Sequence, residues 1–236
     1  MTHRNMMWLV AIKEIKTILR NKRLLIAGLY VSGIFGAMNL LFSGSSSPVT
    51  NALFVASLLP GIFVGYSFSR FVFFREKQEK LIETLLCTPL SVKSIWLGKS
   101  LGAAVPAYVF SLLAVALVMI TSSLVTQSLI FPSAAILLHI VGVAPVFTVA
   151  VIGLMGVCQF LLGLRENTLI GYVILLVVLP FLQPSLFGLL LGDVNAVVSW
   201  LEVGICFLFA VLLVGLTASL SRYLSKEKIV TTIPSD

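Results

Sequence analysis

Apolar residues fall into six long blocks, Leu24–Phe42, Ala52–Phe74, Leu101–Ser123, Ala134–Leu162, Leu169–Leu191 and Ala196–Leu220, divided by short polar breaks. Each is close to the roughly 20 residues a helix needs to cross about 30 Å of hydrocarbon. Nearly every position inside a block is apolar, so the blocks read as spanning helices. The fourth contains Pro145, which predicts a kink or tilt there. The breaks, such as Gly44-Ser45-Ser46-Ser47-Pro48 and Gly163-Leu164-Arg165-Glu166-Asn167, are too short to fold alone. The fold class is therefore all-α integral membrane, a single transmembrane domain over 1–236.

Two segments outside the blocks are also patterned. In the arm 5–22, at 100° per residue, Trp8, Ile12, Ile15 and Leu19 fall within about 60° of one another. Lys13, Glu14, Lys16, Thr17 and Arg20 take the opposite arc. This predicts a basic amphipathic helix in the headgroup plane, either anchoring the first span or touching a partner. In the loop 75–99, Glu76, Glu79 and Glu83 group on one side of a helical wheel, and Leu81 and Leu85 on another. Thr88-Pro89 ends that helix, and Ser91 is placed to cap the next, which carries Lys93 and Trp96 into the third block. Leu81, Ile82, Leu85 and Leu86, interleaved with charge, need a surface to bury against.

Composition narrows the class. At 59% hydrophobic and 11% charged, with mean hydropathy +1.10, the chain departs from the roughly 25% charge of soluble domains. A soluble enzyme and a nucleic-acid-binding domain are excluded. The net charge of +7 has a topological origin: all sixteen Lys and Arg lie in four stretches, 4–23, 70–99 (from the end of the second block through the loop after it), the turn at Arg165, and 222–228 after the sixth block. The alternate loops carry only Asp193 and Glu202. Lys and Arg in short loops mark the cytoplasmic side. Six spans with both termini cytoplasmic, in the cell membrane, follow, and the charge also attracts an anionic inner leaflet. The first block follows some 23 residues rich in basic side chains, too long for a secretory leader, so it reads as a retained helix.

Familiar catalytic patterns are not met. Leu97-Gly98-Lys99-Ser100 ends like a phosphate loop, but Lys93 stands where the earlier glycine belongs and no strand precedes it. His3 and His139 form no zinc signature, and Cys87, Cys158 and Cys206 no disulfide or metal spacing. The groups in the deep interiors of the blocks that could carry charge or relay an ion are His139, Gln159, Asn39 and Glu202, without paired carboxylates. Spacings such as Gly61-x-x-x-Gly65, Gly188-x-x-x-Gly192 and Ser32-x-x-x-Gly36 allow close helix packing.

Glu79 to Pro89, with Glu83, Leu85-Leu86 and Thr88-Pro89, followed by Gly98-Lys99, resembles the cytoplasmic signature of type-2 ABC transporter permeases. Lys80, Leu81 and Ile82 stand where that pattern usually has Gly, Thr and Leu. The resemblance implies a coupling helix after the second span that docks on a separate ATP-binding-cassette subunit. Glu76, Glu79, Leu81, Glu83, Leu85 and Leu86 would form its docking surface, with Thr88 and Pro89 as the hinge. It further implies that the arm at Trp8, Ile12, Ile15 and Leu19 is an interfacial elbow helix, and that 181–195 holds two short re-entrant helices between spans five and six. Two permease copies or homologues and two ATPases would form the working exporter. The chain itself would be no enzyme and hold no cofactor, ATP and Mg belonging to the partner. Nucleic acid is no partner; membrane lipid is. A secondary transporter or channel, and a non-transporting accessory protein, are the alternatives. Substrate identity and the residues lining its pathway are not legible.

Overall fold

The computed structural model describes residues 3–41, 49–79, 91–127, 131–162 and 198–225, together with Ile229. Among them every regular element is helical. Helix α1 is His3–Arg20 and α2 is Lys22–Leu41. Helix α3 runs Val49–Gln78, α4 Val92–Thr126, α5 Ala134–Leu161 and α6 Trp200–Leu220, continued by a 3₁₀ turn at Ser221–Tyr223. Helices α3, α4, α5 and α6 are each long and apolar enough to cross a membrane. The first predicted span corresponds to α2. The fifth, together with 181–195 and Gly188 and Gly192, lies outside the described residues.

Local chemistry sets the helix ends. Asn21 breaks α1 from α2, and its Oδ1 accepts the Arg23 backbone N–H at 3.1 Å. The expected cap at Ser91 is present: its Oγ accepts the Ser94 N–H at 3.2 Å and starts α4. Ser133 caps α5 in the same way. At the start of α6, Ser199 and Glu202 form a reciprocal capping box, the Glu202 Oε2 accepting the Ser199 N–H at 2.8 Å. Glu202 is buried and turned back onto its own helix start.

The distortion expected at Pro145 is a π-turn, His139–Val143, directly before it. Proline lacks the N–H of a regular helical bond and crowds the carbonyl four residues back, and a widened turn accommodates both. A second π-turn, Arg70–Phe74, which the sequence did not signal, interrupts α3 near its end.

Helix α4 lies at the centre, packed against α1, α2, α3 and α5, while α6 packs chiefly on α5. In lipid, close backbone approach and van der Waals packing replace the hydrophobic drive. Gly65 faces Ile152, where a Cβ would come within 2.6 Å of its Cδ1, and Gly36 faces Leu117. Ser32 donates to the Phe110 carbonyl at 2.9 Å, so the Ser32–Gly36 spacing seats α2 on α4. One buried cluster gathers Phe54, Phe147, Ile136 and Val203; the other, toward the end that carries the basic residues, gathers Phe68, Phe73, Trp96 and Phe160. His139 stacks on Phe54 with centroids 4.0 Å apart, a packing role within the first cluster.

Candidate functional site

At the basic end, three elements meet around one lysine. Lys99, in the second turn of α4, is fully buried. Its ammonium donates to Glu76 Oε2 at 2.6 Å, to Glu14 Oε1 at 3.2 Å and to the Val72 carbonyl in the π-turn at 3.1 Å. It also lies 5.9 Å from the centre of the Phe73 ring. Lys13 closes the circuit from outside, 3.1 Å from Glu14 Oε1 and 3.4 Å from Glu76 Oε1. Two carboxylates and two ammonium groups thus alternate, and the cluster is charge-balanced. A buried charge persists only with such pairing, because desolvating a lone ion costs several kcal/mol.

The approach of α1 that makes this possible depends on two glycines. A Cβ on Gly98 would sit 2.8 Å from the Met7 carbonyl oxygen, and one on Gly102 would sit 2.7 Å from the Glu14 Cβ. Glycine at both positions lets the α1 backbone lie directly on α4. The buried stripe of α1 is accordingly Ala11, Glu14 and Ile18. Trp8, Ile12 and Leu19 stay about half exposed and Ile15 is intermediate, leaving the apolar face uncovered. Glu14, grouped with the basic arc on the wheel, in fact lies at that arc's edge and turns inward.

A second lysine ties α3 to α5. Lys77, also fully buried, donates to the carbonyls of Gln159, Phe160 and Leu162 at 3.3, 3.4 and 2.6 Å. These belong to the last turn of α5, where carbonyls lack helical partners and the helix dipole favours a cation. The Gln159 side chain accepts from Ser69 Oγ at 3.2 Å, and Trp96 Nε1 donates to the Gly153 carbonyl at 3.0 Å.

Burial pulls Lys13 toward its neutral form, but the carboxylates of Glu14 and then Glu76 outweigh it and raise its pKa above the ordinary lysine value.

The expected acidic docking face is therefore divided. Glu76 points inward to Lys99 and Lys13, whereas Glu79 is exposed and pairs with Arg75 at 2.7 Å. Leu81, Glu83, Leu85, Leu86, Thr88 and Pro89 lie outside the described residues. What the structure places at the two roots of the 80–90 segment is a joint of charges. Its central residue, Lys99, entered the sequence reading only as part of a false phosphate loop and a Gly-Lys pair. The signal available was Gly98-x-x-x-Gly102 flanking a lysine in an apolar helix.

Compared with known proteins, the chain matches no family model, no curated relative and no solved structure.

Proposed function

We propose that this chain is the membrane-spanning permease subunit of an ATP-binding-cassette exporter, with segment 80–90 as the coupling element that docks on a separate ATPase subunit. The observation that carries the reading is the joint at Lys99. The helical roots on either side of the segment, Glu76 and Lys99, are bonded to each other and to α1, and Lys77 extends the tie to α5. A push on the segment is delivered to several helices at once instead of being absorbed by a loose loop. Such an arrangement suits a chain that moves its spans on a partner's ATP hydrolysis.

On this reading the chain has six spans with both termini cytoplasmic. Helix α1 lies at the cytoplasmic interface with Trp8, Ile12 and Leu19 toward lipid, and 181–195 forms re-entrant helices on the outer side. Two copies or homologues pair with two ATPases. Glu79, Leu81, Glu83, Leu85 and Leu86 face the partner, Thr88 and Pro89 form the hinge, and Glu76 serves as the internal anchor of the docking element.

Co-expression with an ATP-binding-cassette subunit tests the proposal. The wild-type chain should co-purify that ATPase, and Glu83→Lys should lose it while remaining in the membrane fraction. A Glu83→Lys chain that retains the ATPase undiminished would remove the docking assignment.

A further inference from the structure

Five positions of α3 at a strict spacing of four, Gly61, Gly65, Ser69, Phe73 and Lys77, are all buried. Their contacts follow one another along α5. A Cβ on Gly61 would lie 3.1 Å from Thr148 Oγ1, and Gly65 meets Ile152. Ser69 bonds Gln159, Phe73 packs edge-on to Phe160 with centroids 5.1 Å apart, and Lys77 reaches the Leu162 carbonyl. A regular α-helix cannot keep such a stripe on one side. At 100° per residue, the sixteen steps from Gly61 to Lys77 leave the two roughly 160° apart. The π-turn at Arg70–Phe74, where the Arg75 N–H bonds the Arg70 carbonyl, takes up one extra residue and returns about 100° of that drift.

The charges beyond the turn match only this phase. Without the extra residue, each later side chain would stand where its successor now stands, about 100° further round. Arg75, now exposed and paired with Glu79, would take the place of Glu76 between the ammonium groups of Lys99 and Lys13. Glu76 would take the place of Lys77 and set a carboxylate against the carbonyls of Gln159, Phe160 and Leu162. Those carbonyls end α5 and carry the negative pole of its dipole. Both exchanges bring like charges together in buried surroundings, where repulsion is little screened. Lys99 also bonds the widened backbone directly, donating to the Val72 carbonyl within the turn at 3.1 Å.

We infer that the π-turn is a rotational lock on the end of α3. It holds the root of the 80–90 segment in the one phase that satisfies both buried lysines, and that root can turn about its own axis only by breaking both sets of bonds. A displacement of the segment is therefore passed to α4 and α5 instead of being absorbed as a one-residue slip within α3. The lock is a property of the described helices; that a partner ATPase supplies the displacement rests on the exporter reading.

The test follows one cysteine at position 77 in the full-length chain in detergent, with Cys87→Ala, Cys158→Ala and Cys206→Ala as background. Lys77→Cys should be protected from a water-soluble maleimide, whereas Gln78→Cys, at an exposed position, should react. Arg75→Glu combined with Glu76→Lys recasts the charges to fit the regular α phase. In that chain the cysteine at position 77 should lose its protection and react as fast as one at position 78. Deletion of Phe71 removes the extra residue from within the turn, keeps the residues beyond it in phase, and should leave position 77 protected. The inference is overturned if protection survives the charge exchange, or if the Phe71 deletion abolishes it. If the exchanged chain does not insert, the deletion decides by the same criterion. Failure of the unaltered chain to co-purify an ATPase would count against the exporter reading alone and leave the lock standing.

Discussion

Lys99 Nζ lies 2.6 Å from Glu76 Oε2, joining the start of α4 to the end of α3 across the 80–90 segment. The pair sits where Glu14 of α1 also reaches the same ammonium, so one side chain fastens three helices.

Removing that ammonium should be severe. Lys99→Met leaves two inward-facing carboxylates with only the half-exposed Lys13, and breaking such a buried pair costs about 3–5 kcal/mol. Thermal unfolding in detergent should register the loss. Lys99→Met combined with Glu76→Gln should recover part of it, because the second change removes one of the stranded charges. Identical stabilities for the single variant and wild type would show that the pair contributes nothing.

Gly98→Val should lift α1 off α4, since the Met7 carbonyl it meets is backbone and cannot rotate away. Overpacking of this kind costs about 1–3 kcal/mol. Amide hydrogen exchange in 3–20 should accelerate, with exchange in α6 unchanged. Equal acceleration in both helices would point to general unfolding instead of release of the arm.

Lys77→Met should free the end of α5. Three carbonyls lose a charged donor, each at a cost of about 1–3 kcal/mol if left unbonded. Faster exchange at 156–162 is the expected result, and unchanged exchange there would contradict it.

The pH behaviour follows from Lys13. Its raised pKa means that its contribution is complete below the ordinary value of 10.5 and is lost only as pH rises through the raised one. Exchange in α1, corrected for intrinsic rates, should be flat between about pH 7 and 9 and should quicken only above 10.5. A decline in protection within the neutral range would contradict the assignment.

Much of the helix layout could be read from the chain, because apolar block length and cap chemistry are local properties. Ser91 illustrates this, with its cap visible three residues ahead of the N–H it accepts. The joint was not visible, because Glu14 and Lys99 are 85 residues apart and nothing local pairs them. The arm shows what a wheel carries and what it does not: Trp8, Ile12 and Leu19 form an uncovered apolar face as expected, whereas the buried stripe of Ala11, Glu14 and Ile18 is set by the glycines of a helix some 85 residues away. The π-turn before Pro145 followed from its proline, whereas the one at Arg70–Phe74 had no such residue to announce it.

The most direct measurement of the proposed role is photo-crosslinking from the 80–90 segment in intact membranes. A benzophenone amino acid replacing Leu85, with the same group replacing the exposed Phe131 at the opposite end of the bundle, separates the two surfaces. The account predicts a crosslink from position 85 to an ATP-binding-cassette subunit and none from position 131. No adduct from position 85 with the ATPase co-expressed, or equal adducts from both ends, would contradict it.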